Sequence, residues 1–132
     1  MEKLSTIQKR NNLNEVFKGD DAGAGGASHF YLVVKAGAAT VMKDGTVRMN
    51  PNDIVAEIQF QHGPRHEEGS VPGVLDSDLL EMVRDRLKDF NKGEYATREN
   101  ACAITHIEEA LMWMNKRAED RAERGVLGTS KK

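Results

Sequence analysis

Two hydrophobic periods divide this chain. Between about residues 29 and 61, apolar side chains recur at every second position, the spacing of a strand with one buried face. In "HFYLVVKA", Phe30, Leu32 and Val34 alternate with His29, Tyr31 and Lys35, and Val33 blurs the polar side. In "DIVAEIQFQ", Ile54, Ala56, Ile58 and Phe60 share one face, with Glu57, Gln59 and Gln61 on the other. Between them, "TVMKDGTVRM" sets Asp44-Gly45 among β-branched residues, a dipeptide whose backbone freedom closes tight hairpins. The prediction is a small antiparallel sheet of three to four strands.

The period then lengthens. The segment "HGPRHEEGSVPGVLD" holds three glycines and two of the chain's three prolines, and reads as an ordered loop over 62–75. Leu79, Val83, Leu87 and Phe90 then follow helical spacing. That first helix is expected to be capped by Asp76 or Ser77, to run to about Asn91 and to stop at Gly93. Thr97 caps a second helix reaching Arg124, with Gly125 as its stop, a rod roughly 40 Å long. The fold class is therefore α+β, a small sheet followed by a long two-helix hairpin. Residues 1–28 form a polar N-terminal segment and glycine-rich loop, loosely held to about Glu15. The sheet occupies 29–61, the loop 62–75, the hairpin 76–125 and a frayed tail 126–132.

The second helix carries the most information. Its apolar seam runs Asn100, Ile104, Ile107, Leu111, Met114, Ala118, Arg121 in steps of four and three, the spacing of helix on helix. A first helix of about fifteen residues cannot cover that length, so a second copy of the chain is the natural cover. If two copies cross antiparallel near Ala110, Asn100 of one approaches Arg121 of the other. Arg117 flanks that meeting point, and Phe90 ends close to the turn before Asn100. An aromatic face, an amide and two guanidiniums suit a nucleotide: the base stacks and the arginines take phosphates. The alternative for these arginines is plainer. In "NKRAEDRAERG", cations complement the helix C-terminus and pair with Glu119, Asp120 and Glu123.

Composition narrows the choice. The 132 residues carry a formal net charge of −2, which disfavours a general binder of DNA or RNA and makes any anion site local. The single cysteine, Cys102, excludes an internal disulfide framework and reads as a small core residue in a reducing compartment. Neither a secretory leader nor the roughly 20-residue apolar run of a membrane span is visible, so the expectation is a cytoplasmic protein. Candidate chemistry is thin. "KGDDAGAGGASHF" lacks the ending of a phosphate loop and is followed by a strand, which also excludes a dinucleotide fingerprint. It reads as a flexible loop, with a backbone anion cradle as the alternative. His62, His66, Glu67 and Glu68 cluster without recognisable zinc spacing. Asp20, Asp21, Glu108 and Glu109 lack anything to position them as acid and base, and a Cys102–His106 pair is disfavoured by the expected burial of the thiol. Met112, Trp113 and Met114 read as packing. No catalytic residue, metal or cofactor is expected.

The run "TRENACAITHIEEALMWMNKRAEDRAERGVLGT" resembles the helical hairpin of a phage family, the Thoeris anti-defence and related anti-CBASS sponge proteins. "FQHGPRHEEGSVPGVLDSDLLEMVRDRLKDFNKG" resembles the loop and first helix of the same family, and "AGAGGASHFY" the start of its longer members. The resemblance implies a non-enzymatic sponge in the infected host's cytoplasm. It would capture cyclic ADP-ribose isomers and, in some members, cyclic di- or trinucleotides, as a dimer or a hexamer built as a trimer of dimers. The family's ligand-contacting positions fall here on Phe90, Asn100, Arg117 and Arg121, and Arg65 matches a position around a second pocket between dimers. Leu127 and His62 depart from the family's pattern, which bears on ligand preference. Two rivals stand beside it: a phosphodiesterase-like enzyme that degrades the same messengers, and a purely structural oligomerising protein.

Overall fold

A computed structural model describes residues 1–10 and 13–132. The chain divides into two compact units, Met1–Gly63 with Gly69–Gly73, and Pro64–Glu68 with Val74–Lys132.

The first unit is a four-stranded antiparallel sheet in the order β1-β2-β3-β6. Its strands are β1 (Glu2–Lys3), β2 (Asn14–Lys18), β3 (Phe30–Lys35) and β6 (Ile54–Gln59). A separate two-stranded ribbon pairs β4 (Thr40–Val41) with β5 (Val47–Arg48). Asp44-Gly45 turns that ribbon as its sequence predicts. Gly45 takes φ +87°, and the Asp44 carboxylate accepts from Thr46 N at 3.0 Å and Thr46 Oγ1 at 2.6 Å. Those two bonds hold the Asp44 carboxyl below its ordinary value.

The sheet reaches further towards the N-terminus than the pattern predicts. Far from being loosely held, "NEVFK" pairs residue by residue with β3, from Asn14 opposite Lys35 to Lys18 opposite Tyr31. It also supplies Phe17, which is 1% exposed and packs with Leu32 and Val34 in the core. Phe30, Ala38, Ala39, Val47, Met49 and Ile54 close around them. Glu15 ties this strand down. Its carboxylate accepts from Gly37 N at 2.6 Å and pairs with Lys3, which together hold its pKa below the usual range. Residues 11 and 12 of that stretch lie outside the described residues. Between β3 and β6 the register shifts after Val33, which faces Ala56 while Val34 faces Ile54. Val55 is the extra residue of a bulge and stands exposed.

The glycine-rich stretch is an ordered turn rather than a flexible loop. Asp20 anchors it, accepting from His29 N at 3.0 Å and Phe30 N at 3.2 Å, while Ser28 Oγ donates to Asp20 O. Desolvation raises the Asp20 carboxyl, but those two N–H groups and the neighbouring His29 and His62 outweigh it, and the net shift is downward. The imidazoles of His29 and His62 stack in parallel, centroids 4.3 Å apart. Gly23 crosses their edge so closely that a Cβ there would lie 2.8 Å from His62 Nε2. A side chain at 23 would push the turn off the histidine pair, which is what the glycine is for.

The second unit is the hairpin, α1 (Asp76–Phe90) and α2 (Arg98–Glu123). α1 starts differently from expectation. Asp76 and Ser77 are already helical, and the cap is made by Asp78, whose carboxylate reaches back to Leu75 N at 2.8 Å. α2 starts as predicted, with Thr97 Oγ1 accepting from Asn100 N at 3.0 Å. Among the described residues, no helix is long and apolar enough to cross a membrane.

Candidate functional site

The hairpin is held more by edges than by a sealed core. Arg84 on α1 brings Nε and Nη2 to Glu108 Oε2 on α2, each at 2.8 Å, which accounts for Glu108 as an ion-pair partner. Ile104, Ile107 and Leu111 of the seam are half-buried, while Met82, Val83, Phe90 and Met114 remain exposed. The one buried residue on either helix, among those described, is a cation, Arg121.

Two predicted site residues stand at the closed end, where α1 hands over to α2. The linker is pinned by Asn91 Oδ1, which accepts from Thr97 N at 2.9 Å. Asn100 begins α2 there, and its Nδ2 donates to Tyr95 O at 3.3 Å. Phe90 closes α1, half-exposed, with the Arg86 guanidinium carbon 5.4 Å from its ring centroid. That cation covers part of the flat apolar surface expected of Phe90.

The arginines gather at the open end. Arg117 is exposed one turn before Arg121. Arg121 is only 8% exposed, and its Nη2 donates to Val126 O at 3.1 Å and Thr129 O at 3.0 Å. Arg124 pairs with Asp120 at 3.1 Å and donates to Lys132 O at 2.6 Å, which occupies it structurally. The tail is accordingly not frayed. Thr129 N and Oγ1 both donate to Val126 O, and Ser130 N and Oγ donate to Glu67 Oε1. Arg65 is exposed on the loop beside that tail, its Cγ close to Gly128. Sequence reasoning missed this arrangement. The available signal was "GVLG", two glycines three apart just past a helix, both with positive φ.

Within one chain, then, Phe90 and Asn100 share one end of the hairpin and Arg117 and Arg121 the other, and the two groups stay apart. From 100 to 121 is 21 residues of continuous helix, roughly 32 Å.

The rejected candidates also find their places. Cys102 is exposed rather than in a core, because a residue two positions from Asn100 and Ile104 projects from the opposite side of the helix. Met112 and Trp113 are exposed too, the indole lying under Lys116 Nζ at 5.5 Å. The loop histidines diverge. His62 stacks on His29, whereas His66 N donates to Gly128 O at 3.0 Å. Among the described residues, no three His, Cys, Asp or Glu side chains are grouped to hold a metal ion.

Residues 52–119, just over half of the chain, match the family described as Acb2/Tad1, hairpin domain. The chain is also 41% identical over 116 residues to Thoeris anti-defense 1 of Bacillus phage SBSphiJ7, a match spanning 80% of this chain and 81% of that relative. The family match takes in Arg65, Phe90, Asn100 and Arg117, while Arg121 and the tail lie just beyond it. With a family profile covering the hairpin and a relative of this identity along most of its length, the chain belongs to the Acb2/Tad1 hairpin-domain family.

Proposed function

We propose that this protein is a phage anti-defence sponge that sequesters cyclic nucleotide messengers of bacterial immunity without cleaving them. Membership in the family supports this, as does the name of the Bacillus phage relative, Thoeris anti-defense 1. The observation that carries it is the division of polar groups between the two ends of the hairpin. An aromatic and an amide stand at one end, arginines at the other, and the half-covered apolar seam lies between. Two copies crossing antiparallel bring Phe90 and Asn100 of one chain to Arg117 and Arg121 of the other, twice over. Each pocket then offers a stacking face, an acceptor and two cations, which suits a cyclic ADP-ribose isomer. Arg65 belongs to a second site between such dimers, where cyclic di- or trinucleotides bind and hexamers form. The complex works in the host cytoplasm by affinity and abundance, so no catalytic group is needed.

The bonds from Arg121 to two tail carbonyls favour a second reading, in which the arginine is structural and the protein merely oligomerises. One experiment separates these. The purified protein is melted with cyclic ADP-ribose isomers, cyclic dinucleotides and cyclic trinucleotides, and each ligand is recovered afterwards. A rise in Tm with intact ligand is the expected result. Recovery of cleaved ligand makes the protein a phosphodiesterase, and no shift with any of them leaves the structural reading.

A further inference from the structure

The turn that follows α2 is bonded to Arg121. Val126 O and Thr129 O, three residues apart, take the two hydrogens of Arg121 Nη2 at 3.1 and 3.0 Å. That fixes the guanidinium plane and leaves Nε and Nη1 as donors for something else. Those donors are not sealed in. The fully buried side-chain polar atom that lacks a partner among the described residues is His29 Nδ1, not a nitrogen of Arg121. On its other side the same turn meets the loop bearing Arg65. Gly128 O accepts from His66 N, and Glu67 Oε1 takes Ser130 N and Oγ at 3.3 and 3.2 Å. Gly128 itself sits at φ +77°, and a Cβ there would lie 2.4 Å from His66 Cδ2 and 3.2 Å from Arg65 Cγ. Only glycine permits both the turn and the approach.

We infer that the tail turn Val126–Thr129 is a positioning element that sets Arg121 in the geometry an anionic ligand requires, with Gly128 as its pivot. The inference rests on the reading that Arg121 takes a ligand phosphate. A guanidinium held by two carbonyls is pre-organised: the ligand does not have to order a long, mobile side chain before it can bind. Such a device explains why a binding arginine is nearly buried before any ligand arrives.

The test is a double-mutant cycle read by calorimetric titration of the full-length protein. The probe is the cyclic ADP-ribose isomer whose riboses share a glycosidic linkage. Gly128→Ala is expected to weaken Kd roughly tenfold, the size of one charge-assisted hydrogen bond lost or misaligned. Oligomer mass and helical circular dichroism should stay as in the parent. In an Arg121→Ala background the same change should cost almost nothing, because there is no guanidinium left to position. Thr129→Ala, which removes the hydroxyl's bonds to Val126 O and from Lys131 N but keeps the Thr129 carbonyl, should show the same non-additivity with a smaller loss, and serves if Gly128→Ala does not fold. Full additivity with Arg121→Ala overturns the inference, as does an unaltered Kd in both tail variants while Arg121→Ala alone weakens binding. If the parent protein binds no probe and Arg117→Ala changes nothing, the sponge reading fails and takes the inference with it.

Discussion

The two units solve the burial problem in opposite ways. The sheet closes a small core on itself, with Phe17 at 1%, Val34 at 0% and Leu32 at 4% exposure. The hairpin buries no apolar side chain completely, leaves Phe90, Met112, Trp113 and Met114 outside, and buries an arginine instead. Both are built from ordinary amphipathic elements, so the difference lies in what covers the apolar face. A sheet with a ribbon folded over it needs no partner. A 26-residue helix beside a 15-residue one has a length of seam left over, and that is where recognition is possible.

This contrast can be broken by measurement. The largest effect belongs to the closed core. Phe17→Ala should cost about 3–5 kcal/mol in urea unfolding, whatever the protein concentration. A loss below about 1 kcal/mol would show that the N-terminal strand is dispensable to the sheet. For the open unit the binding effect leads. Arg121→Ala should weaken ligand binding by about 2–3 kcal/mol, read by calorimetry, with oligomer mass unchanged. Collapse to monomer would make the residue a prop of the assembly. The unfolding midpoint of the hairpin should rise with protein concentration if copies pair along the seam. Loss of a cap comes next: Thr97→Ala should remove about 1 kcal/mol of stability, seen as a lower Tm. The smallest effect sharpens the account of the sheet unit. Asp20 is held below its unfolded value near 3.8, so its bonds contribute above about pH 4 and are lost as pH falls through the lower folded value. The stability gap between the parent and Asp20→Asn should therefore narrow on acidification. A gap that is constant from pH 7 to pH 2 would exclude that linkage.

What could be read in advance follows the range of the forces involved. Asp44-Gly45 and Thr97 act on atoms two or three residues away, so local sequence names them. The apolar rows of β3, β6, α1 and α2 repeat often enough to show their period. β2 was hidden because Val16 and Phe17 are adjacent, which gives no alternation; its identity comes from pairing with β3. The tail was hidden for a related reason. "VLGTSKK" has no periodicity, and its order comes from Arg121, Arg124, His66 and Glu67, the loop pair being more than 60 residues away. The candidate residues were chosen from helical spacing and from the family resemblance. Their separation into two groups followed from helix length, while the hold of the tail on Arg121 required coordinates.

If two copies pair along α2, as proposed above, the polarity of that helix bears on how they lie together. Side by side in the same direction, they would stack both pairs of Arg117 and Arg121 at one end, like charge on like, and leave the amides facing each other at the far end. Head to tail, Arg117 and Arg121 of each copy would instead be set towards the Asn100 end of the other, where Arg98 is offset by Glu99. In the proposed dimer, charge placement would favour one direction along the rod, while the apolar seam, nearly indifferent to direction, would supply the adhesion. Asn100→Arg, beside the Arg98 that already begins α2, would set a further cation opposite Arg117 and Arg121 and weaken that preference.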